Sequence, residues 1–188
     1  MEKKILIVVD PQVDFVSGTL AVPDAVDAMD RLAAYIRDKG REYGHVIVTA
    51  DRHPMNHCSF SDAGGKWPPH CVADSVGAAI WQPVMDALMM YRDKVTVLHK
   101  GEDANREEYS IFKAPGATDR IRGIVTACGA TGLDICGIAG DVGVADTIRD
   151  AAALFGGGML NVLMRFCPSM DGGAVLDSLV GAGLAGRL

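Results

Sequence analysis

The sequence lacks an excess of basic residues and any long apolar run. Its 18 Lys and Arg residues are outnumbered by 24 Asp and Glu residues, which gives a formal net charge of -6 at pH 7. A chain with this balance has no positive surface to attract nucleic acid or an anionic membrane. No apolar stretch approaches the roughly 20 residues of a membrane-spanning helix, and residues 1–4 run into a strand-like segment without a signal peptide. We therefore expect a cytoplasmic protein that binds neither nucleic acid nor membrane.

The chain also lacks paired cysteines. It contains five, an odd number, and no Cys-x-x-Cys pair occurs among Cys58, Cys71, Cys128, Cys136 and Cys167. Because nothing in the sequence indicates export to an oxidising compartment, we expect these thiols to be reduced.

Strand-like and helix-like segments alternate along the chain. Short apolar runs typical of strands occupy residues 4–9, 45–50, 94–99, 134–139 and 160–165. Most are continuous rather than alternating, as expected for strands covered on both faces. The helix-like stretches between and after them are residues 24–39, 76–91, 118–130, 144–154 and 173–180. This order predicts βαβ units, hence a single domain over residues 1–188 with a three-layer α/β/α fold and a parallel sheet of five or six strands.

Polar or glycine-rich segments follow four of the predicted strands. They are Asp10, Asp51, Lys100 and the turn at residues 140–143. Ligands of a parallel sheet bind outside the carboxyl ends of its strands, where these segments meet. Residues 51–74 form a loop too long for a simple connection, and such loops are usually functional. We therefore predict a functional site at this edge of the sheet.

The long loop carries a candidate metal site. Asp51 and His53 stand in Asp-x-His spacing at a strand end, which lets both side chains point the same way, and His57 and His70 follow. One carboxylate with two or three imidazoles suits one divalent metal ion such as Zn, Fe or Mn. The alternative is a polar surface loop whose histidines are unrelated.

Asp10 and Lys100 form a candidate acid–base pair. Asp10 ends an apolar strand, where an aspartate is costly unless it is paired or functional. Lys100 ends the third strand and can meet Asp10 across the top of the sheet. Spacing alone does not distinguish catalytic machinery from a structural ion pair.

Five segments, in this order, resemble the motifs of one enzyme family. Residues 9–15 resemble D-x-Q-x-D-F, residues 51–60 resemble D-W-H-P-x-x-H-x-S-F with Arg52 in place of the tryptophan, and residues 67–72 match W-P-x-H-C-V. Lys100-Gly101 with residues 109–112 resembles K-G…Y-S-x-F, and residues 137–144 resemble G-x-A-T-D-Y-C-V. Over nearly its whole length the chain thus resembles the nicotinamidase/pyrazinamidase branch of the isochorismatase-like cysteine hydrolases.

The resemblance implies a hydrolase that acts on C–N bonds of linear amides and takes a small-molecule substrate. Asp10 would be the general base or acid, with Lys100 as its charge partner. The backbone amides of Ala139 and Gly143 would form an oxyanion hole. The family also commonly forms dimers or larger assemblies, which implies a homo-oligomer.

The resemblance further implies how metal and substrate are held. Asp51, His53 and His70 would bind the metal ion, with His57 as a further ligand. Phe15 and Trp67 would sandwich a nicotinamide-like ring, with Tyr109 nearby. Packing against the core is the alternative role of these three aromatic residues.

One motif departs from the family at the predicted catalytic position 143. Gly140, Val142 and Gly143 stand where the resemblance implies threonine, tyrosine and the nucleophilic cysteine. Glycine has no side chain, so the thioester of a cysteine amidase cannot form there. Cys71 adjoins a predicted metal ligand, but nothing in its spacing indicates a nucleophile.

Three hypotheses follow. The first is a nicotinamidase-like protein that acts on or binds a nicotinamide-like amide and whose cysteine-dependent chemistry is impaired or absent. In its extreme form, this protein is a catalytically inactive, ligand-binding relative. The second is a thiol-independent isochorismatase-like hydrolase that uses Asp10 as general acid on a vinyl ether. Such isochorismatases carry glycine here but generally lack the metal ligands. The third is attack on an amide by water that the metal ion or Asp10 activates.

Overall fold

The structure is a computed structural model that describes residues 3–188. Residues 1 and 2 lie outside the described residues. They belong to the segment 1–4, in which the sequence showed no signal peptide. The strands of this described part of the chain form one parallel sheet of six, in the order β3-β2-β1-β4-β5-β6. They are β1 (Lys4–Val9), β2 (Tyr43–Asp51), β3 (Val95–Lys100), β4 (Gly132–Gly137), β5 (Leu160–Val162) and β6 (Gly186–Arg187). The predicted α/β fold with a parallel sheet is confirmed.

Within residues 3–188, six α-helices connect or follow these strands. They are α1 (Val13–Val16), α2 (Ala25–Lys39), α3 (Gln82–Met89), α4 (Ala117–Cys128), α5 (Ala145–Phe155) and α6 (Ala174–Gly181). In α2, helical spacing places Met29, Leu32 and Ile36 on one fully buried face. Five consecutive residues of β1 are fully buried, which requires cover on both faces of the sheet.

The predicted helix over residues 76–91 begins later than expected. Residues before Gln82 instead bind the loop after β1: the amide of Val13 donates to the carbonyl of Ala79 at 2.9 Å. Pro83 then sits in the first turn of α3, where its missing N–H costs nothing. The predicted strand over 160–165 is likewise shorter, because a 3₁₀ turn at Met164–Phe166 follows β5.

The topology creates a crevice beside the first strand. β1 lies between β2 on one side and β4 on the other, so the connections after β1 and β4 leave in different directions. Ligands of such sheets bind at this switch point. Among residues 3–188, no helix is both long and apolar enough to cross a membrane.

Candidate functional site

A cavity with about 450 Å³ of empty space, including the part open to solvent, lies at the carboxyl ends of the strands, beside the switch point. Of the predicted site residues, all but His53 and His57 line it: Asp10, Phe15, Asp51, Trp67, His70, Lys100, Tyr109, Ala139 and Gly143. The parallel sheet thus brings together residues that are far apart in the chain.

One wall of the cavity is a buried charge cluster. Lys100 Nζ lies 2.8 Å from Asp10 Oδ2 and 2.6 Å from Asp51 Oδ1. All three side chains are almost completely buried. The sequence predicted the pair of Asp10 with Lys100, but it did not predict that Lys100 also joins Asp51.

Burial and neighbouring charges set the protonation of this cluster. Burial, together with the charge of Asp51, raises the pKa of Asp10 to about 6 against the attraction of Lys100. Burial also acts to raise the pKa of Asp51, but Lys100 and His53 lower that pKa below its usual range. Desolvation disfavours the charged Lys100, yet the two carboxylates raise its pKa well above the usual value. Asp10 is therefore the member of the cluster that exchanges a proton in the mildly acidic range.

The backbone of β2 holds Asp10 in place. Asp10 has a φ of 46°, an uncommon conformation for a residue other than glycine. Its amide donates to the carbonyl of Thr49 at 3.1 Å, and the Thr49 hydroxyl donates to Asp10 Oδ1 at 2.6 Å. Sequence reasoning missed Thr49, because a threonine inside a strand gives no signal of its partner in a neighbouring strand.

Asp51, His53 and His70 form a cluster that can hold a metal ion. One ligand atom from each lies within 4.8 Å of the others, and all three residues are buried. Nδ1 of His53 donates to the carbonyl of Gly101 at 2.9 Å, and Nδ1 of His70 donates to that of Pro68 at 2.8 Å. In each ring the lone pair of Nε2 is therefore available to bind a metal ion. This is the usual arrangement of metal-binding histidines. The donor set fits a divalent transition metal.

Electrostatics also suit this cluster to a cation. Burial lowers the pKa of His70, which keeps the imidazole neutral as a metal ligand must be. Desolvation acts against a charged His53, but Asp51, with Oδ2 3.6 Å from Nε2, raises the pKa of that ring overall. A positive charge between Asp51 and His53 is therefore favoured.

His57 does not join this cluster, contrary to the predicted set of four ligands. Nε2 of His57 donates to the carbonyl of Arg106 at 3.1 Å, and Nδ1 lies 2.7 Å from the Ser59 hydroxyl, from which it accepts. The ring stacks on His53 with centroids 4.1 Å apart. Both nitrogens are engaged, so His57 supports His53 and offers no ligand atom.

Gln12 fixes the backbone of Asp51. Its fully buried side chain accepts from the Asp51 amide at 2.7 Å and donates to the Asp51 carbonyl at 2.8 Å. Gln12 is the glutamine of the D-x-Q-x-D-F motif, but only the structure shows that it pairs with the backbone of Asp51. Arg52, which departs from the second motif, does not line the cavity and pairs with Asp74 and Glu102 at the surface.

Three aromatic residues contribute to the apolar lining of the cavity. Trp67 Nε1 donates to the Tyr109 hydroxyl at 3.0 Å, which fixes the two rings relative to each other. Phe15, on α1, lies 5.5 Å from His70 between ring centroids. Sequence reasoning missed further apolar lining residues, which carry no chemical signal: Leu20, Val22, Val142 and Met170.

The opposite wall is a turn between β4 and α5. It contains the cis peptide Ile138-Ala139 and a π-helical turn at Gly140–Val144. A Cβ atom built on Gly143 would lie 3.2 Å from Asp10 Oδ2. Any side chain at position 143 would therefore start beside the carboxylate of Asp10.

Among the described residues 3–188, no cysteine lines the cavity. Cys71, the cysteine next to His70, is fully buried, and burial raises its thiol pKa well above the ordinary value. Burial likewise raises the pKa of Cys136, and it raises that of Cys167 to about 12. These buried thiols stay protonated and are poor nucleophiles.

The fold and the site define an α/β protein with a charged, metal-compatible pocket at the switch point of a parallel sheet. Residues 4–156 match the model of the isochorismatase domain family. The chain belongs to the isochorismatase family.

Two individual relatives of this chain are nicotinamidases. The nicotinamidase of Escherichia coli is 31% identical over 91% of this chain and 85% of its own length. The nicotinamidase of Saccharomyces cerevisiae is 30% identical over 58% of this chain, and the match spans only 62% of that relative. Within the family, the chain is thus a homologue of nicotinamidases.

Two crystal structures of relatives agree in fold with this chain along nearly its whole length. A pyrazinamidase of Pyrococcus horikoshii in complex with zinc superposes with a TM-score of 0.81 at 27% identity, covering 99% of this chain and 98% of that one. PnC1 of L. infantum in complex with nicotinate gives a TM-score of 0.83 at 26% identity, covering 99% and 92%. These relatives bind zinc and a small pyridine carboxylate, respectively.

Proposed function

We propose that this chain binds a small, flat, nicotinamide-like amide in the cavity, and that its cysteine-dependent amidase chemistry is impaired or absent. One observation carries the proposal: the charged and aromatic parts of the cavity are complete, but Gly143 faces Asp10 where a nucleophile would stand. The resemblance of residues 137–144 to a motif with cysteine at this position supports it.

We assign one divalent metal ion to Asp51, His53 and His70. The carboxylate and the two Nε2 atoms lie close enough to share an ion, and the carbonyls of Gly101 and Pro68 orient the rings. When bound, such an ion supplies a Lewis acid that a ring nitrogen or a water molecule can coordinate. The zinc complex of the Pyrococcus horikoshii relative supports this assignment.

We assign the ring of the ligand to the space between Phe15 and Trp67. Both side chains line the cavity, and the hydrogen bond from Trp67 to Tyr109 holds the indole at its edge. Aromatic walls favour a flat ring in offset or edge-to-face packing. The nicotinate complex of the L. infantum relative supports a pyridine ring as the ligand class.

We assign proton transfer to Asp10, with Lys100 as its charge partner. The salt bridge at 2.8 Å holds the carboxylate toward the cavity, next to position 143. The backbone amides of Ala139 and Gly143 are proposed as the oxyanion hole, and no acceptor for the Ala139 amide occurs within residues 3–188. An amide carbonyl placed there would meet donors already in position.

The proposal is tested by calorimetric titration of nicotinamide into the zinc-loaded protein, with ammonia release followed in parallel. We expect saturable binding that Trp67→Ala weakens, and no ammonia above the background of heat-denatured protein. Failure of the folded, zinc-loaded protein to bind overturns the proposal. Catalytic ammonia release by the native chain instead assigns it thiol-independent amidase activity, with water as the attacking group.

A second candidate is thiol-independent hydrolysis of a vinyl ether, with Asp10 as general acid. The observation that favours it is the raised pKa of Asp10, about 6, which keeps part of the carboxyl groups protonated near neutral pH. Its signature is pyruvate release from isochorismate that declines as pH rises through the pKa of Asp10. A folded protein that releases no pyruvate in mildly acidic buffer excludes this candidate. The single domain over residues 1–188 stays a prediction of the sequence, and the homo-oligomer stays an expectation that the family resemblance implies.

A further inference from the structure

One buried carboxylate near the cavity has no part in the chemistry proposed above. The side chain of Glu108 is 1% exposed and does not line the cavity. A buried carboxylate is costly unless its oxygens find partners. Oε2 of Glu108 accepts from the amide of Gly101 at 2.9 Å, and Oε1 pairs with the guanidinium of Arg106.

Gly101 links this carboxylate to His53. Its carbonyl accepts from Nδ1 of His53 at 2.9 Å, so the turn that Glu108 holds also orients the imidazole. Gly101 has a φ of +70°, and a Cβ atom at this position would lie 2.3 Å from Cε1 of His53. Backbone and ring are therefore in direct contact, and displacement of the turn moves the acceptor of His53.

The same segment supports His53 from a second side. The carbonyl of Arg106 accepts from Nε2 of His57 at 3.1 Å, and His57 stacks on His53. The ion pair with Glu108 holds Arg106 in this position, although the Arg106 side chain itself is about half exposed. Residues 106–108 thus hold the His53 ring both at its edge, through Gly101, and at its face, through His57.

We propose that Glu108 is a positioning residue for metal binding, which orients His53 through the backbone of Gly101. The inference rests on the proposed function, in which His53 is a metal ligand. Direct partners such as the Gly101 carbonyl fix the ring orientation and tautomer of metal-binding histidines, and their loss costs about tenfold to a hundredfold in metal affinity. Glu108 acts one step further out, by holding the turn that carries this carbonyl.

The first test is zinc affinity, measured by competition with a chelator well below the unfolding midpoint of each variant. We expect Glu108→Ala to weaken zinc binding about tenfold to a hundredfold. Glu108→Gln keeps an acceptor oxygen for the Gly101 amide and restores most of that affinity. The matched control is Glu102→Gln, an exposed neighbour that pairs with Arg52 at 3.4 Å and leaves zinc affinity unchanged. Native affinity in Glu108→Ala overturns the inference.

A double-variant cycle separates positioning from a general loss of stability. In a His53→Ala background, Glu108→Ala has no ring left to orient, so we expect little further loss of zinc affinity. An equal loss with and without His53 would show that Glu108 acts through the fold as a whole, and it would overturn the inference.

A measurement without metal keeps this inference distinct from the proposed function. In the metal-free protein at alkaline pH, ring ¹⁵N shifts report which nitrogen of His53 carries the proton. We expect the Nδ1–H tautomer in the native chain and a mixture in Glu108→Ala. An unchanged tautomer overturns the inference, whereas a changed tautomer in a protein that binds no zinc leaves the orienting link intact and refutes only the proposed metal site.

Discussion

The two walls of the cavity differ in kind. On the sheet side, Asp10, Asp51 and Lys100 are almost completely buried, and Lys100 Nζ lies 2.8 Å from the carboxylate of Asp10 and 2.6 Å from that of Asp51. On the side of the turn after β4, Ala139, Val142 and Gly143 present apolar side chains or none. The comparison agrees with the proposed function: the sheet side can hold and polarise a ligand, and these three residues of the turn offer no thiol or hydroxyl group.

The energetics of the two walls differ as well. Burying three charges is expensive, and such a cluster is stable only while every member keeps its partner. The turn wall carries no comparable cost, and position 143 accepts a small side chain if the carboxylate of Asp10 yields by a few tenths of an ångström. Changes to the sheet wall should therefore act on stability, and changes to the turn wall should act on chemistry.

The largest expected effect comes from Gly143→Cys, which would give the turn wall a nucleophile. The new thiol would start 3.2 Å from Asp10 Oδ2, measured to its Cβ, a distance that requires the carboxylate to move by a few tenths of an ångström. We expect ammonia release from nicotinamide to rise roughly a thousandfold, less than the roughly millionfold effect of a nucleophile in a fully adapted hydrolase. Gly143→Ala occupies the same space without a thiol and should give no rise. A folded, zinc-loaded Gly143→Cys protein without added activity contradicts the assigned site.

Lys100→Met would test the sheet wall by leaving Asp10 and Asp51 as two buried carboxylates without a cation. We expect the free energy of unfolding to fall by about 3 kcal/mol, as measured in urea. Lys113→Met removes an exposed lysine that pairs with Asp150 at 3.1 Å, and it should cost less than about 1 kcal/mol. Equal losses in the two variants would show that the buried cluster is no more costly to break than a surface pair.

Zinc should stabilise the native chain through its assigned ligands Asp51, His53 and His70. At a zinc concentration about a hundredfold above the dissociation constant, we expect the free energy of unfolding to rise by about 2.7 kcal/mol. His70→Ala removes one ligand and should abolish most of this gain, whereas the exposed His99, replaced by Ala, should leave it intact. Thermal unfolding with and without zinc measures the effect. Loss of the gain in both variants contradicts a specific site.

The pH dependence of stability should report Asp10. Its pKa rises from 3.8 in the unfolded chain to about 6 in the folded one. Below the lower value both states are protonated; between the two values the unfolded chain alone has released its proton, so stability falls as pH rises. Relative to Asp10→Asn, we expect the metal-free native chain to lose about 2 kcal/mol between those values, measured by urea unfolding. A difference that stays flat or grows with pH contradicts the raised pKa.

Much of the fold and the site could be predicted because the signals are local in the sequence. Apolar runs marked β1 to its last residue. Polar residues at strand ends marked the site: Asp10 directly follows β1, and Asp51 and Lys100 are the last residues of β2 and β3. Parallel strands bring their carboxyl ends together, so local signals became a common site.

Contacts that depend on side-chain direction could not be predicted in this way. The sequence did not indicate that Thr49 donates to Asp10, or that Glu108 lies against Gly101. The short strand β6 gave no apolar signal, because it consists of only Gly186–Arg187. Thr49 lies 39 residues from Asp10, and Glu108, although only seven residues from Gly101, is of a residue type with many alternative roles.

His57 shows this limit most clearly and offers the smallest expected effect. Spacing grouped it with the metal ligands, but its two ring nitrogens are engaged by the carbonyl of Arg106 and the hydroxyl of Ser59. We expect His57→Gln to lower the free energy of unfolding by about 1 kcal/mol through these lost hydrogen bonds and to change zinc affinity by less than about threefold. Chelator competition on the native chain, His57→Gln and His53→Gln measures this. If His57→Gln weakens zinc binding as strongly as His53→Gln does, then His57 turns toward the ion when metal binds, and the sheet wall is more mobile than its hydrogen bonds indicate.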